Sequence, residues 1–230
     1  MMLLSERHEA TKELRDSLSH VLWIGGASDS GKSTVALMLA ERHCWQIYPC
    51  DFHEHNHFIA RADPVLHPAM YKGAAKTIDD NWVYTTSEAM FRDILTTNDE
   101  RFPMICEDLQ AMPKQPKILV EGPRLFPKLV QPLLSDIHQA IWLLPTEKFA
   151  LESAAKRDKP QLRMRSSDPL RFQRNFFGRE ALLRDYLRHE VISRGLPYIE
   201  VDGSDSVDEV ARSVETHFET YSTSGEATEK

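Results

Sequence analysis

Residues 26 to 33 read Gly-Ala-Ser-Asp-Ser-Gly-Lys-Ser, a GxxxxGKS/T spacing of glycine, lysine and hydroxyl side chains that suits a polyphosphate. Gly26 and Gly31 allow the backbone to turn so that successive amides point inward at phosphate oxygens. Lys32 would bridge the β and γ phosphates as a point charge, and the hydroxyl of Ser33 would coordinate magnesium. Ala27, Ser28, Asp29, Ser30 and Thr34 complete the expected nucleotide-binding loop, with ATP the expected nucleotide, GTP its alternative and Mg2+ the metal. Asp29 stands out, because a carboxylate aimed inward would repel phosphate; it is expected to face outward, toward solvent or substrate.

Two further acids follow short apolar runs. Glu121 closes Lys117 to Glu121, and Asp51 follows Trp45 to Pro49. At such positions an acid can hold magnesium through water or take a proton from an attacking hydroxyl. Glu121 and Asp51 are therefore candidate catalytic residues, and Ser33 with Glu121 the candidate metal ligands. Between Lys156 and Arg179, eight Lys and Arg face two Asp, a surplus of six positive charges in a chain whose net charge is -7. Arginines on a closing lid can stabilise a phosphoryl group in flight, which makes Arg171, Arg174 and Arg179 candidates. A solvated charged helix would carry the same residues. His53, His55 and His57 would share one side of an extended chain and could bind zinc, although substrate contact suits them better. Arg61, Arg101 and Arg124 could meet an anionic substrate, while Trp82, Tyr84, Phe91 and Phe102 read as core.

The elements that would position these groups alternate. Val21 to Ile24 reads as a strand feeding the loop, and Lys32 to His43 as the helix leaving it. Further strands are expected at 45–49, 117–121, 140–144 and 197–201. Helices are expected at 5–18, from a capping box at Thr85 to Glu88 through Leu95, at 103–112, from about Gly178 to Arg194, and at 207–221. Residues 52–82 read as irregular. Short apolar strands between helices predict an α/β fold, a parallel sheet covered on both faces, with ligands beyond the carboxyl ends of the strands.

The 230 residues suit one domain with insertions: an N-terminal helix (1–20), a body (21–221) with a substrate-binding insertion (about 52–112) and a lid (about 156–179), and a disordered tail (222–230). The acidic balance argues against nucleic acid and anionic membranes as partners. Cys44, Cys50 and Cys106 lack a CxxC and are odd in number, so a reducing cytoplasm is expected. The first residues lack the apolar core of a signal peptide, and no stretch reaches membrane-spanning length.

Together, Gly25 to Thr34 after a first strand and Ile118-Leu119-Val120-Glu121-Gly122 resemble the P-loop kinases of the nucleoside and small-molecule type, over about Val21 to Phe218. The resemblance implies the P-loop NTPase fold, a three-layer sandwich with a five-stranded sheet of order 2-3-1-4-5, a substrate-binding insertion after the second strand and an arginine-bearing lid after the fourth. It implies transfer of the γ-phosphoryl group of ATP to a hydroxyl of a small metabolite, by a monomer or homodimer. A nucleotide-binding regulatory protein without an acceptor is the alternative, and a polynucleotide 5'-hydroxyl kinase is disfavoured by the acidic total. The loop Asp202-Gly203-Ser204 is a positional candidate for the adenine contact.

Overall fold

The computed structural model describes residues 4–156 and 163–226. Five strands, β1 (Val21–Gly26), β2 (Gln46–Pro49), β3 (Ile118–Glu121), β4 (Ala140–Pro145) and β5 (Tyr198–Val201), form one sheet of order 2-3-1-4-5. Every pairing is parallel, as the alternation of apolar runs and helices predicts. The helices are α1 (Leu4–Ser17), α2 (Lys32–His43), α3 (Cys50–Asn56), α4 (Pro68–Ala74), α5 (Ile78–Trp82), α6 (Ser87–Ala111), α7 (Pro127–Val130), α8 (Glu147–Lys156), α9 (Pro169–Ser193) and α10 (Val207–Glu226).

Side chains alternate across the pleat and so divide the core in two. Leu22, Ile24, Leu119 and Leu143 meet Val35 and Leu39 of α2 and Val214 and Phe218 of α10. On the opposite face Trp23, Val120 and Trp142 meet Phe102, Ile105 and Leu109 of α6 and Leu183, Leu187 and Val191 of α9. Both β1 and β4 are buried along their whole length, which is why they read as unbroken apolar runs. The register sets Glu121 opposite both Ile24 and Pro49, so β2 and β3 finish level while β1 runs on to Gly26 and into the loop.

Several elements differ from expectation for identifiable reasons. The segment after β2 is helical rather than irregular: α3 continues into a π-helical turn (His57–Arg61), and α4 and α5 follow. Pro68 occupies the first turn of α4, where the missing amide is harmless, and Thr77 and Asp80 close a reciprocal capping box on α5. The two pieces expected at 85–95 and 103–112 are one helix, α6, capped by Thr86 rather than Thr85. Pro103 lies inside it, between core residues Phe102 and Met104. Likewise α9 starts at Pro169, not near Gly178, because Asp168 accepts a hydrogen bond from the Arg171 amide at 2.9 Å. The second part of the expected lid is therefore the start of a core helix, and residues 157–162 lie outside the described residues. Of the expected tail, 222–226 fall within α10, and 227–230 lie outside the described residues.

Gly178 lets α9 pass close to α6, since a Cβ there would lie 2.2 Å from the Ser87 hydroxyl and 2.9 Å from its Cβ. Gly178→Ala is expected to destabilise the fold by about 1–3 kcal/mol. Urea unfolding checks this, and a midpoint equal to wild type would show that the two helices separate freely.

Candidate functional site

The loop joining β1 to α2 is built from its backbone upward. At Gly26 φ is 135° and a Cβ would sit 2.2 Å from the Leu143 carbonyl oxygen of β4, so only glycine can end the strand. Asp29 adopts φ 61°, the left-handed region that aspartate tolerates better than most side chains. Its place in the loop is thereby a turn position, and it lines the cavity beside Lys32. Helix α2 opens with no side-chain cap and no acid in its first turn, which leaves its first amides and the positive end of its dipole for an anion.

Lys32 is 6% exposed, and its Nζ donates to the Ala27 carbonyl oxygen at 2.9 Å. Burial pulls its ammonium below the ordinary lysine range, against the opposing charges of Glu121, Asp51, Glu180 and Asp29. The Ser33 hydroxyl donates to Glu121 Oε2 at 3.0 Å, joining loop and β3. Glu121 is 5% exposed, and its burial pushes the carboxyl up, opposed by Lys32 and Ser33. Asp51, in the first turn of α3, is solvent-accessible but set in a concave, crowded surface. That desolvation, with the charge of Glu54, raises its carboxyl above the usual range.

Lys32, Ser33 and Asp51 form the polar side of a cavity of about 430 Å³, with Trp82, Phe172 and Phe176 on its aromatic side, and Glu121 reaches it through Ser33. The residues present fit a magnesium triphosphate. Ser30 Oγ is buried without a hydrogen-bond partner among the described residues, Lys32 supplies the charge, and Ser33 with Glu121 offers the hard oxygens magnesium prefers. Among the described residues no group of three or more His, Cys, Asp and Glu could hold a metal by itself. Magnesium commonly relies on one or two protein groups with phosphate and water completing its shell.

The candidate arginines are placed otherwise. Arg171 and Arg174 are exposed on α9, and neither is among the described residues lining this cavity. Arg179 lies with its guanidinium 4.5 Å from the Trp82 ring centroid, bonds Glu180 at 2.9 Å and lines a second cavity. Arg163, from the same basic segment, lines the first cavity instead. Helix periodicity explains the difference: once α9 begins at Pro169, its buried stripe passes through Phe172, Asn175 and Leu183. Trp82, expected in the core, walls both cavities, and Tyr84 is exposed. Glu180, whose charge acts on Lys32, escaped the sequence reading because it is one acid among many on a long helix.

The histidines lie on α3 and the π turn, not on one side of an extended chain. His55 is exposed, and His53 stacks on Tyr48 with ring centroids 4.2 Å apart. His57 is buried: its Nδ1 accepts from Arg101 Nε at 3.1 Å, so the proton sits on Nε2, which donates to Asp108 at 2.8 Å. Asp108 also accepts from Tyr48 at 2.6 Å and Arg61 at 2.5 Å. Burial alone would raise the Asp108 carboxyl, but these donors outweigh it and hold it below the usual range. A depressed native pKa adds stability above the unfolded-state value that is lost as pH falls through the native one. Asp108→Asn is expected to cost about 2–4 kcal/mol at pH 7, with the gap closing below about pH 4. Urea melts at both pH values check this; a gap that persists in acid would assign the effect to packing.

No helix among the described residues is long and apolar enough to cross a membrane. Neither a protein-family model nor a curated protein significantly matches the sequence. Among solved structures, the chain is similar to an uncharacterized protein from Eubacterium ventriosum at TM-score 0.44 and 13% identity, over 87% of this chain and 98% of that one. It is also similar to the deoxyadenosine kinase from M. mycoides, at TM-score 0.43 and 12% identity over 87% of this chain and 99% of that one.

Proposed function

We propose that the chain is a P-loop phosphotransferase that moves the γ-phosphoryl group of ATP to a hydroxyl of a small acceptor. The observation that carries this reading is the 3.0 Å bond between Ser33 and Glu121, which joins the loop hydroxyl to a strand-end carboxylate beside Lys32. A loop that only bound magnesium nucleotide could use Glu121 in the same way, but would need no proton acceptor such as Asp51 on the same cavity.

In this reading the loop amides and Lys32 hold the β and γ phosphates, and Ser33 and Glu121 hold magnesium. Bound there, the metal neutralises charge on the transferring group. The acceptor oxygen forms a bond to the γ phosphorus as the bond to the bridging β–γ oxygen breaks, and ADP leaves. Asp51 takes the hydroxyl proton, a role suited to a carboxyl held above its ordinary range. Trp82, Phe172 and Phe176 keep water from competing with the acceptor.

Incubation with γ-labelled ATP, magnesium and a panel of small hydroxyl compounds tests the proposal. Label should appear in a phosphorylated acceptor. Nucleotide binding without transfer to any acceptor would favour the regulatory alternative.

A further inference from the structure

A second cavity of about 520 Å³ shares Trp82 with the first; α4 and α6 supply much of its wall, and α3, α9 and the segment after β3 reach both. Helix α3 contributes Asp51 to the first and Glu54, a turn later, to the second. The segment after β3 contributes Pro123 and then Arg124, α9 contributes Phe176 and then Arg179, and Trp82 faces both. A molecule with its reacting hydroxyl at Asp51 would extend past Trp82 into this second space.

The charges there are unevenly matched. Arg124 pairs with Glu54 at 2.7 Å. Arg101 is fully buried and donates from Nη2 to the Cys50 carbonyl at the start of α3, one turn from Glu54. Its Nη1 has no hydrogen-bond partner among the described residues. Glu54 is the foremost acid acting on Arg101, Asp51 adds to it, and Arg124 opposes them, so two guanidinium groups lie between Glu54 and the Asp51 of the first cavity. The other acids of the wall are engaged: Asp93 bonds Lys76 at 2.7 Å, and Glu100 accepts from the Ala69 and Met70 amides at 3.0 and 2.9 Å. Lys72 adds an exposed ammonium at the rim. A guanidinium nitrogen left unsatisfied, on an arginine repelled by the Arg124 of the wall, is relieved by a bound anion.

We propose that the acceptor is a small hydroxyl compound with an anionic end, a carboxylate or a phosphate, and that Arg124 in the second cavity holds that end. The proposal rests on the phosphotransferase reading above. It makes Arg124 a specificity determinant and Glu54 the carboxylate that the acceptor's anion displaces.

The test uses the full chain saturated with a non-hydrolysable ATP analogue and magnesium, so that the phosphate loop is already filled. Calorimetric titrations then compare glycerol with glycerol 3-phosphate, and glucose with glucuronate, which separates phosphate from carboxylate. At least one anionic probe should bind more than about tenfold tighter than its neutral counterpart, a preference of the size one charged hydrogen bond provides. Arg124→Gln should remove that preference, whereas Glu54→Gln, which frees Arg124, should increase it. Equal binding of neutral and anionic probes overturns the proposal, as does a preference unchanged in Arg124→Gln. Thermal unfolding of both variants establishes that each is folded. A wild-type chain that does not bind the nucleotide analogue refutes the phosphotransferase reading itself, a result distinct from normal nucleotide binding without anion preference.

Discussion

Lys32→Ala is expected to lower phosphoryl transfer by about 10²–10³-fold, the usual consequence of removing one preorganised donor from a transition-state charge. Its ammonium is buried beside Glu121, with Asp51, Glu180 and Asp29 acting on it, and its bond to the Ala27 carbonyl would give way to phosphate oxygens. The fold should survive, because burial already disfavours the charged form of this lysine. Removing that charge leaves the neighbouring acids with less compensation, so Glu121 and Asp51 should titrate at still higher pH in the variant. Steady-state turnover with matched circular dichroism spectra checks the first part. Turnover equal to wild type would separate the loop from the chemistry.

Asp51→Asn is expected to lower the transfer rate by about 10²–10⁴-fold, the range of a lost general base, with nucleotide affinity nearly unchanged. The asparagine keeps the size of the side chain but takes no proton. In wild type the rate should fall as pH drops through the raised Asp51 value, because only the ionised carboxylate accepts the hydroxyl proton. That acid limb should vanish in Asp51→Asn. The opposite sign applies to stability: a carboxyl with a raised native pKa favours the folded state at low pH and costs stability as pH rises through the window. Glu121 and Asp51 should therefore weaken the fold slightly toward neutral pH while making the site competent there. A rate profile with the same acid limb in both proteins would assign the base to another group.

The sheet was legible because its central strands β1, β3 and β4 are buried on both faces, and such strands announce themselves as short apolar runs. Val21 to Ile24 and Ala140 to Leu144 needed no tertiary information. The helices between β2 and α6 were hidden by their prolines, yet Pro68 starts α4 and the Thr77 and Asp80 pair caps α5. Both signals depend on where a helix begins, which composition does not show. Glu121 and Asp51 were selected by their places after apolar runs; Glu121 does end β3, Asp51 lies in the first turn of α3, and the charges of both act on Lys32. The arginines were harder, because which of them meets a cavity depends on helix phase: a start nine residues earlier for α9 puts Arg171 and Arg174 in solvent. Asp29 seemed misplaced as a charge in a phosphate loop. Its left-handed backbone shows a turn requirement that a chemical reading of the side chain misses.

Equilibrium binding of ATP with and without magnesium, measured by calorimetry on wild type, Ser33→Ala and Glu121→Gln, tests the account at its centre. The Ser33 to Glu121 link predicts one saturable site in wild type that magnesium tightens by about tenfold or more. In both variants magnesium should add little, while binding without the metal persists. Absence of saturable binding by the wild-type chain, or an undiminished magnesium effect in both variants, would contradict it.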